Sequence, residues 1–165
     1  MRILIEGPDG SGKTVLSKTL REAFNSDYVH FEYEPDENIY QKQTLDTFEL
    51  VKNSNNIIVD RFIPSEIVYG TVLRDKARFV YDDGNTWLYD ILDCFDNIIF
   101  CLPICKEDYI NQFKKMSQQR DELVKEIKQI SQIYNYYQDL YVNLKGNYPE
   151  FANKITRYDF FRFID

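Results

Sequence analysis

The residues best suited to do chemistry form a glycine-rich segment near the start of the sequence. It consists of Gly7-Pro8-Asp9-Gly10-Ser11-Gly12-Lys13-Thr14 and fulfils the pattern G-x-x-x-x-G-K-[ST] at every fixed position. The backbone N–H groups of such a loop, with the positive end of the helix that follows, bind phosphate oxygens. Lys13 is placed to reach the outer phosphates, and the Thr14 hydroxyl to bind Mg²⁺. Residues 7–14, which fit the pattern of a P-loop, are therefore predicted to bind a nucleoside triphosphate.

A second pair of reactive residues, Asp60 and Arg61, follows the apolar run 57–59. A carboxylate at the end of a buried strand can hold Mg²⁺ through water or accept a proton from an attacking oxygen. The planar guanidinium of Arg61 suits phosphate. The structural alternative for the pair is a capping aspartate beside a solvated arginine. After a buried strand in a chain with a P-loop, the catalytic interpretation is favoured.

The order of predicted elements places both groups at one edge of a sheet. Strand-like runs cover about residues 3–6, 28–33, 57–60, 97–102 and 154–158, and helical patterns cover about 13–25, 37–53, 64 onward, 86–95, 106–117 and 121–144. This alternation predicts a three-layer α/β/α fold with a mostly parallel sheet of about five strands. The P-loop then lies at the carboxyl edge of the sheet. Asp36 is expected to cap the helix 37–53, and Gly146 to end the helix 121–144.

Length and composition limit the classes of protein that the chain can represent. Its 165 residues, 44% hydrophobic and 28% charged, predict a single globular domain over 1–165. No apolar run approaches the roughly 20 residues of a membrane span. The three cysteines lack a paired metal spacing and predict reduced thiols in a cytoplasmic protein. A net charge of −7 argues against a broad duplex-DNA surface. The apolar stripe of 121–144 predicts a packing face, part of which is compatible with a homodimer seam.

The two motifs together resemble the thymidylate kinases. Residues 6–14 are similar to the P-loop of that family, which has an acidic residue at the position of Asp9. Residues 60–70 are similar to its Asp-Arg-aromatic segment, which continues into a serine and then an aromatic. The resemblance implies a P-loop kinase with a short helical lid. It also implies Mg²⁺-dependent transfer of a phosphoryl group from ATP to a deoxynucleoside monophosphate, usually that of thymidine.

The resemblance also implies roles for individual residues. Asp9 would contact the sugar hydroxyl of the acceptor, Asp60 would serve the metal or proton transfer, and Arg61 would contact phosphates. Tyr69 would contact the acceptor base. Ser65 is expected to cap or brace the start of the helix after Arg61.

Two departures from the family leave the acceptor open. The family carries an arginine after its second strand, whereas residues 31–35 are acidic, and the helix 37–53 has only lysines as basic residues. Arg74, Lys76 and Arg78, on the next helix, are the candidate replacements, and Arg74 is the one predicted to bind the acceptor. The acidic segment would tolerate an uncharged nucleoside better than a phosphate. A small-molecule dTMP or other monophosphate, a deoxynucleoside, and a modified pyrimidine hydroxyl in DNA are therefore all kept as acceptors.

The region around 104–125 is predicted to form the lid, because it is rich in lysine and arginine. Arg120 lies near the break between two predicted helices and is the candidate closing arginine of the catalytic site. The competing function is a P-loop regulatory NTPase. No Asn-Lys-x-Asp segment for guanine recognition is present in the sequence, and the kinase is therefore preferred.

Overall fold

A computed structural model of the chain describes residues 1–78, 86–117 and 127–163. In these ranges the strands are β1 (Arg2–Glu6), β2 (Asp27–His30), β3 (Ile57–Asp60), β4 (Asn97–Cys101) and β5 (Ile155–Tyr158). The helices are α1 (Lys13–Phe24), α2 (Glu37–Asn53), α3 (Ile63–Arg74), α4 (Thr86–Asp93), α5 (Lys106–Ser117), α6 (Ile127–Asn147) and α7 (Pro149–Ala152). A 3₁₀ helix, Phe160–Phe163, follows β5.

The five strands form one parallel sheet in the order β2-β3-β1-β4-β5. The predicted number of strands and their parallel arrangement are confirmed. Ile5 pairs with Asp60, and Glu6 with Phe100, so the ends of the central strands meet at one edge. The loop after β1 and the pair after β3 therefore emerge side by side.

Helices cover both faces of this sheet, which confirms the three-layer fold. On one face, Ile3, Ile5 and Ile58 pack against Leu16 and Leu20 of α1. On the other face a larger core includes residues of β1, β3, β4, α3, α5 and α6. Each fully buried aliphatic or aromatic side chain contributes about 1.5–3 kcal/mol relative to an exposed one.

The apolar stripe predicted on the helix 121–144 is a packing face in α6. Ile130, Tyr134, Tyr137 and Leu144 are buried there. The helix extends to Asn147, so the prediction that Gly146 follows its end is wrong. Pro149, which begins α7, explains the actual end, because the residue before a proline disfavours helical dihedrals.

Two local predictions about helix starts are confirmed. The Asp36 carboxylate accepts hydrogen bonds from the backbone N–H groups of Asn38 and Ile39, at 2.9 and 3.1 Å, and caps α2. Pro64 lies in the first turn of α3. The second strand is shorter than predicted and ends at His30, because His30 pairs with Asp60, the last residue of its neighbour β3.

The described part of the predicted lid, residues 104–117, contains α5. Residues 118–126, which include Arg120, lie outside the described residues. In the described ranges, no helix has both the length and the apolarity to cross a membrane.

Candidate active site

The glycine-rich loop connects β1 to α1 with a backbone that requires glycine at two positions. Gly7 and Gly12 have φ angles of 145° and 87°. A Cβ at Gly12 would lie 2.5 Å from the ring of Phe160, and one at Gly7 would overlap the carbonyl oxygen of Cys101 in β4. Glycine is therefore demanded by space as well as by backbone conformation.

Lys13 is buried against the loop that precedes it. Its Nζ donates a 2.6 Å hydrogen bond to the carbonyl oxygen of Pro8. Burial, reinforced by the charge of Arg61, lowers the pKa of Lys13 to about 8, although Asp9 and Asp60 act in the opposite direction. Phosphate oxygens would offer this ammonium stronger acceptors than the Pro8 carbonyl does.

A cavity of about 620 Å³ lies beside the loop. Its volume is within the range of about 300–1,000 Å³ typical of small-molecule sites. The loop, the ends of β2 and β3, α5 and the 3₁₀ helix contribute its walls, through Asp9, Gly10, Gly12, Lys13, Thr14, Val15, His30, Asp60, Arg61, Gln112 and Phe160. The P-loop and the Asp60–Arg61 pair thus line one cavity, although 46 positions separate Thr14 from Asp60.

The two carboxylate oxygens of Asp60 differ in their surroundings. Oδ2 receives hydrogen bonds from the hydroxyls of Tyr28, at 3.0 Å, and Ser17, at 3.3 Å, and lies 3.5 Å from His30 Nδ1. Oδ1 is buried and has no hydrogen-bond partner among the described residues. Burial alone would raise the pKa of Asp60, but the hydrogen bond from His30 and the charge of Lys13 outweigh it and lower that pKa.

The surroundings of Asp60 fit a magnesium ion. Its free Oδ1 and the Thr14 hydroxyl belong to residues that line the same cavity. In residues 1–78, 86–117 and 127–163, no group of three or more His, Cys, Asp or Glu could hold a metal by itself. Mg²⁺ would therefore depend on phosphate and water oxygens for the rest of its coordination, as is usual for this ion.

Asp9 is held on every side. Its carboxylate forms an ion pair with Arg61, whose guanidinium lies 5.4 Å from the ring centroid of Tyr69. Its backbone N–H donates to the Tyr69 hydroxyl, and its carbonyl accepts from the Tyr109 hydroxyl, both at 2.9 Å. Burial would raise the pKa of Asp9, but the charges of Arg61 and Lys13 lower it. The carboxylate is therefore ionised at neutral pH.

A second pocket adjoins the first on the far side of Arg61, which lines both. Aromatic side chains dominate its walls, and its charged members are Glu32, Arg61, Glu66 and Arg74. Arg74 forms an ion pair with the buried carboxylate of Glu66. The predicted residues Arg61, Tyr69 and Arg74 are thus brought together around one pocket.

The arginines of α3 and the segment after it contact an exposed tyrosine at the mouth of this pocket. The guanidinium groups of Arg74 and Arg78 lie 5.4 and 5.3 Å from the ring centroid of Tyr33. Tyr33 follows β2, in the segment where the sequence lacks the expected arginine. The cations near this segment therefore come from α3 and the residues just after it.

Sequence reasoning missed several residues of the site. Tyr28, His30 and Tyr109 are not among the candidate residues predicted from the sequence. No local pattern identifies them, because each reaches the site from a separate element. Glu6 is different, since a carboxylate closing an apolar strand is itself unusual and could have been noticed.

The chain thus combines a parallel sheet of order β2-β3-β1-β4-β5 with a glycine-rich loop between β1 and α1 and an Asp-Arg pair after β3. No protein-family model matches the sequence, and no curated protein matches it either. The fold is shared with solved structures of low sequence identity.

Three of these structures illustrate the likeness. YorR from Bacillus subtilis, solved in complex with phosphorylated GDP, is 17% identical with a TM-score of 0.66, over 96% of this chain and 85% of YorR. Deoxyadenosine kinase from M. mycoides with bound dATP is 20% identical with a TM-score of 0.64, over 100% and 93%. Thymidylate kinase from Candida albicans is 16% identical with a TM-score of 0.58, over 96% and 82%. The predicted three-layer α/β/α fold is confirmed, and the deoxyadenosine kinase and the thymidylate kinase share it.

Proposed function

We propose that this chain is a kinase that transfers the γ-phosphoryl group of ATP to a deoxynucleoside-type acceptor. The observation that carries the proposal is the place of Arg61, which lines both the P-loop cavity and the second pocket and is paired with Asp9. A guanidinium between a donor and an acceptor site suits a phosphoryl group in transfer. The fold shared with a deoxyadenosine kinase and a thymidylate kinase supports the same class of reaction.

On the donor side, the P-loop would bind the phosphates of ATP. Lys13 would leave the Pro8 carbonyl for the outer phosphates, and the loop N–H groups would complete the cradle. Thr14 and Asp60 would hold Mg²⁺, which neutralises charge on the phosphates when bound. The lowered pKa of Asp60 favours a metal-binding role over that of a general base, because a weakly basic carboxylate is a poor proton acceptor.

On the acceptor side, the pairing of Arg61 and Arg74 with carboxylates favours an uncharged deoxynucleoside over a monophosphate. Arg61 is paired with Asp9, and Arg74 with Glu66. Glu32 adds an exposed negative charge to the pocket wall, and the guanidinium of Arg78 adds a positive charge beside Tyr33. Because both arginines that line the pocket are already paired, we rank a deoxynucleoside acceptor above the monophosphate that the family resemblance implies.

Asp9 has the chemistry to bind such an acceptor. Its ionised carboxylate, which lines the cavity beside Arg61, can accept a hydrogen bond from a sugar hydroxyl. The aromatic walls of the second pocket offer apolar surface for a base.

The deciding experiment measures ADP release with matched acceptors. Each common deoxynucleoside is compared with its own 5′-monophosphate, and pyrimidine-modified DNA is included. We expect Mg²⁺-dependent stimulation, with kcat/KM at least about tenfold higher for a nucleoside than for its monophosphate, which corresponds to about 1.4 kcal/mol. A preference for the monophosphate would reverse the choice of acceptor. Hydrolysis that no acceptor stimulates would favour the regulatory NTPase instead.

A further inference from the structure

A fully buried carboxylate, that of Glu6, lies at the end of β1 next to the P-loop. Its Oε1 accepts a 2.7 Å hydrogen bond from the backbone N–H of Phe62, and its Oε2 accepts one of 2.6 Å from the Ser65 hydroxyl. The Tyr137 hydroxyl of α6 lies 3.3 Å from Oε2 and 2.8 Å from the Ser65 oxygen. The carboxylate thus connects β1 with α3 and α6.

Burying this group is costly, and its partners offset only part of the cost, because the pKa of Glu6 stays above its usual range. Burial raises the pKa of Glu6, whereas hydrogen bonds from Ser65 and Phe62 and the charges of Arg61 and Lys13 act to lower it. A leucine would fill the same place without such compensation. Ser65, expected to cap or brace the start of α3, donates to Glu6, and the N-cap residue Phe62 makes no side-chain cap. The phosphoryl transfer proposed above gives Glu6 no role of its own.

The backbone that Glu6 holds is the turn at Arg61. Arg61 has a φ angle of 68°, a left-handed conformation that costs a residue with a side chain roughly 1–2 kcal/mol. The N–H of Arg61 donates to the carbonyl of Ile5 at 2.9 Å, and the next N–H, of Phe62, donates to Glu6. Two consecutive residues of β1 therefore hold both peptide groups that flank Arg61.

Tyr137, a hydrogen-bond partner of Glu6, also helps to position the guanidinium of Arg61. The ring of Tyr137 packs edge-on against that of Tyr69, with centroids 6.3 Å apart, and Arg61 lies over Tyr69. The side chain is thereby oriented toward Asp9, with which it is paired. Backbone and side chain of Arg61 are both fixed by groups bonded or packed around Glu6.

We propose that Glu6 is the positioning residue for Arg61, which it serves by hydrogen bonding the backbone of the strained turn. Its importance for catalysis rests on the function proposed above. The effect of Glu6 on the Arg61–Asp9 ion pair is independent of that function.

Two substitutions separate geometry from charge. Glu6→Gln keeps the length of the side chain, and its amide oxygen can still accept from Phe62 while its NH₂ donates to a hydroxyl. Glu6→Asp keeps the charge but is one methylene too short. We expect Glu6→Gln to keep kcat within about threefold, and Glu6→Asp to lower it about 10- to 100-fold, as misplacement by about 1 Å does. Affinity for ATP should change by less than about twofold in both.

The reverse order, with the aspartate active and the glutamine impaired, would overturn the proposal in favour of a charge effect. If Glu6→Asp does not fold, the folded Glu6→Gln variant still provides a test. A loss of kcat of more than about tenfold in that variant, at unchanged ATP affinity, would also overturn the proposal. Thermal unfolding of each variant separates stability from turnover.

A double-mutant cycle tests whether Glu6 acts through Arg61. In an Arg61→Ala background, Glu6→Asp should lower kcat by no more than about twofold further, because the residue that it positions is gone. If the two substitutions lower kcat independently, so that their effects multiply in the double variant, the proposal is contradicted. A crystal structure of Glu6→Asp should lack the Arg61–Asp9 ion pair, and its persistence would contradict the proposal even if the protein proved to have no kinase activity.

Discussion

The backbone N–H of Asp9 donates a 2.9 Å hydrogen bond to the phenolic oxygen of Tyr69, 60 residues further along the chain. A P-loop residue thus gives its N–H to a side chain of α3 and not to the phosphate cavity. Tyr109 of α5 binds the carbonyl of the same residue. The two tyrosines keep the Asp9 peptide in place, so that its carboxylate is presented to Arg61 and the adjacent cavity.

Tyr69→Phe should weaken acceptor use more than ATP use. The substitution leaves the Asp9 N–H without its partner, which costs about 1–3 kcal/mol for a buried group. We expect KM for the acceptor to rise about tenfold and KM for ATP to change by less than about threefold. Steady-state kinetics with each substrate varied in turn provide the measurement. Tyr136→Phe, at an exposed position of α6, is the control and should have no effect. Equal increases in both KM values would refute the assigned role.

Asp60→Asn should lower kcat by about 100- to 1,000-fold, because the amide is a poor Mg²⁺ ligand and removes a charge from the site. Tyr28→Phe should have a smaller effect, since Ser17 and His30 still contact Oδ2. Titration of activity with Mg²⁺ is the measurement, and both variants should require more metal. Normal metal dependence in Asp60→Asn, together with reduced thermal stability, would return Asp60 to a structural role.

Nucleotide affinity should fall as the pH rises through about 8. In the free protein the pKa of Lys13 is lowered to about 8, and only the charged form attracts phosphate. Affinity for ATP, measured by calorimetry between pH 6 and 10, should be constant at low pH and decline about tenfold per unit above the pKa. Lys13→Arg, which stays charged throughout, should lose this decline. An unchanged profile in Lys13→Arg would assign the pH dependence to another group.

The lowered pKa of Lys13 also determines how the stability of the fold changes with pH. The unfolded lysine, with a pKa near 10.5, takes up its proton before the buried one does. Lys13 therefore destabilises the fold progressively as the pH falls from about 10.5 to 8. Lys13→Met should remove this slope from the pH dependence of the unfolding free energy.

Glu66→Gln should shift acceptor preference toward monophosphates. The change removes the negative charge that neutralises Arg74, while the amide oxygen can still accept from the backbone N–H of Arg78. We expect kcat/KM for monophosphates to rise about three- to tenfold, or roughly 1 kcal/mol, with little change for nucleosides. Glu49→Gln, on the exposed face of α2, is the matched control. An equal gain for both acceptor classes would argue against charge as the basis of the preference.

The parts of the site that could be predicted from sequence are those specified locally. The glycine-rich loop, the Asp60–Arg61 pair and the Asp36 cap each depend on residues only a few positions apart. The pairing of Arg61 with Asp9 spans 52 positions, and the contact of Tyr109 with Asp9 spans 100. These contacts follow from how α3 and α5 pack, for which a single sequence contains no direct pattern.

The ion pairs of the site could not be predicted from the sequence either. Arg74 is predicted to contact an acceptor phosphate, but it forms an ion pair with the buried carboxylate of Glu66, eight positions earlier on α3. Similarly, the end of β2 was placed too late because the end of its neighbour β3, and not its own residues, determines where pairing stops.

The close approach of Phe160 to Gly12 restricts the residue type at position 12 more than at position 160. Any residue larger than glycine at position 12 would displace the Phe160 ring, which is part of the cavity wall. A smaller residue at position 160 would relieve the crowding, but position 12 would still have a φ angle of 87°. A smaller residue at position 160 is therefore compatible with residue 12, whereas position 12 gains no freedom in return.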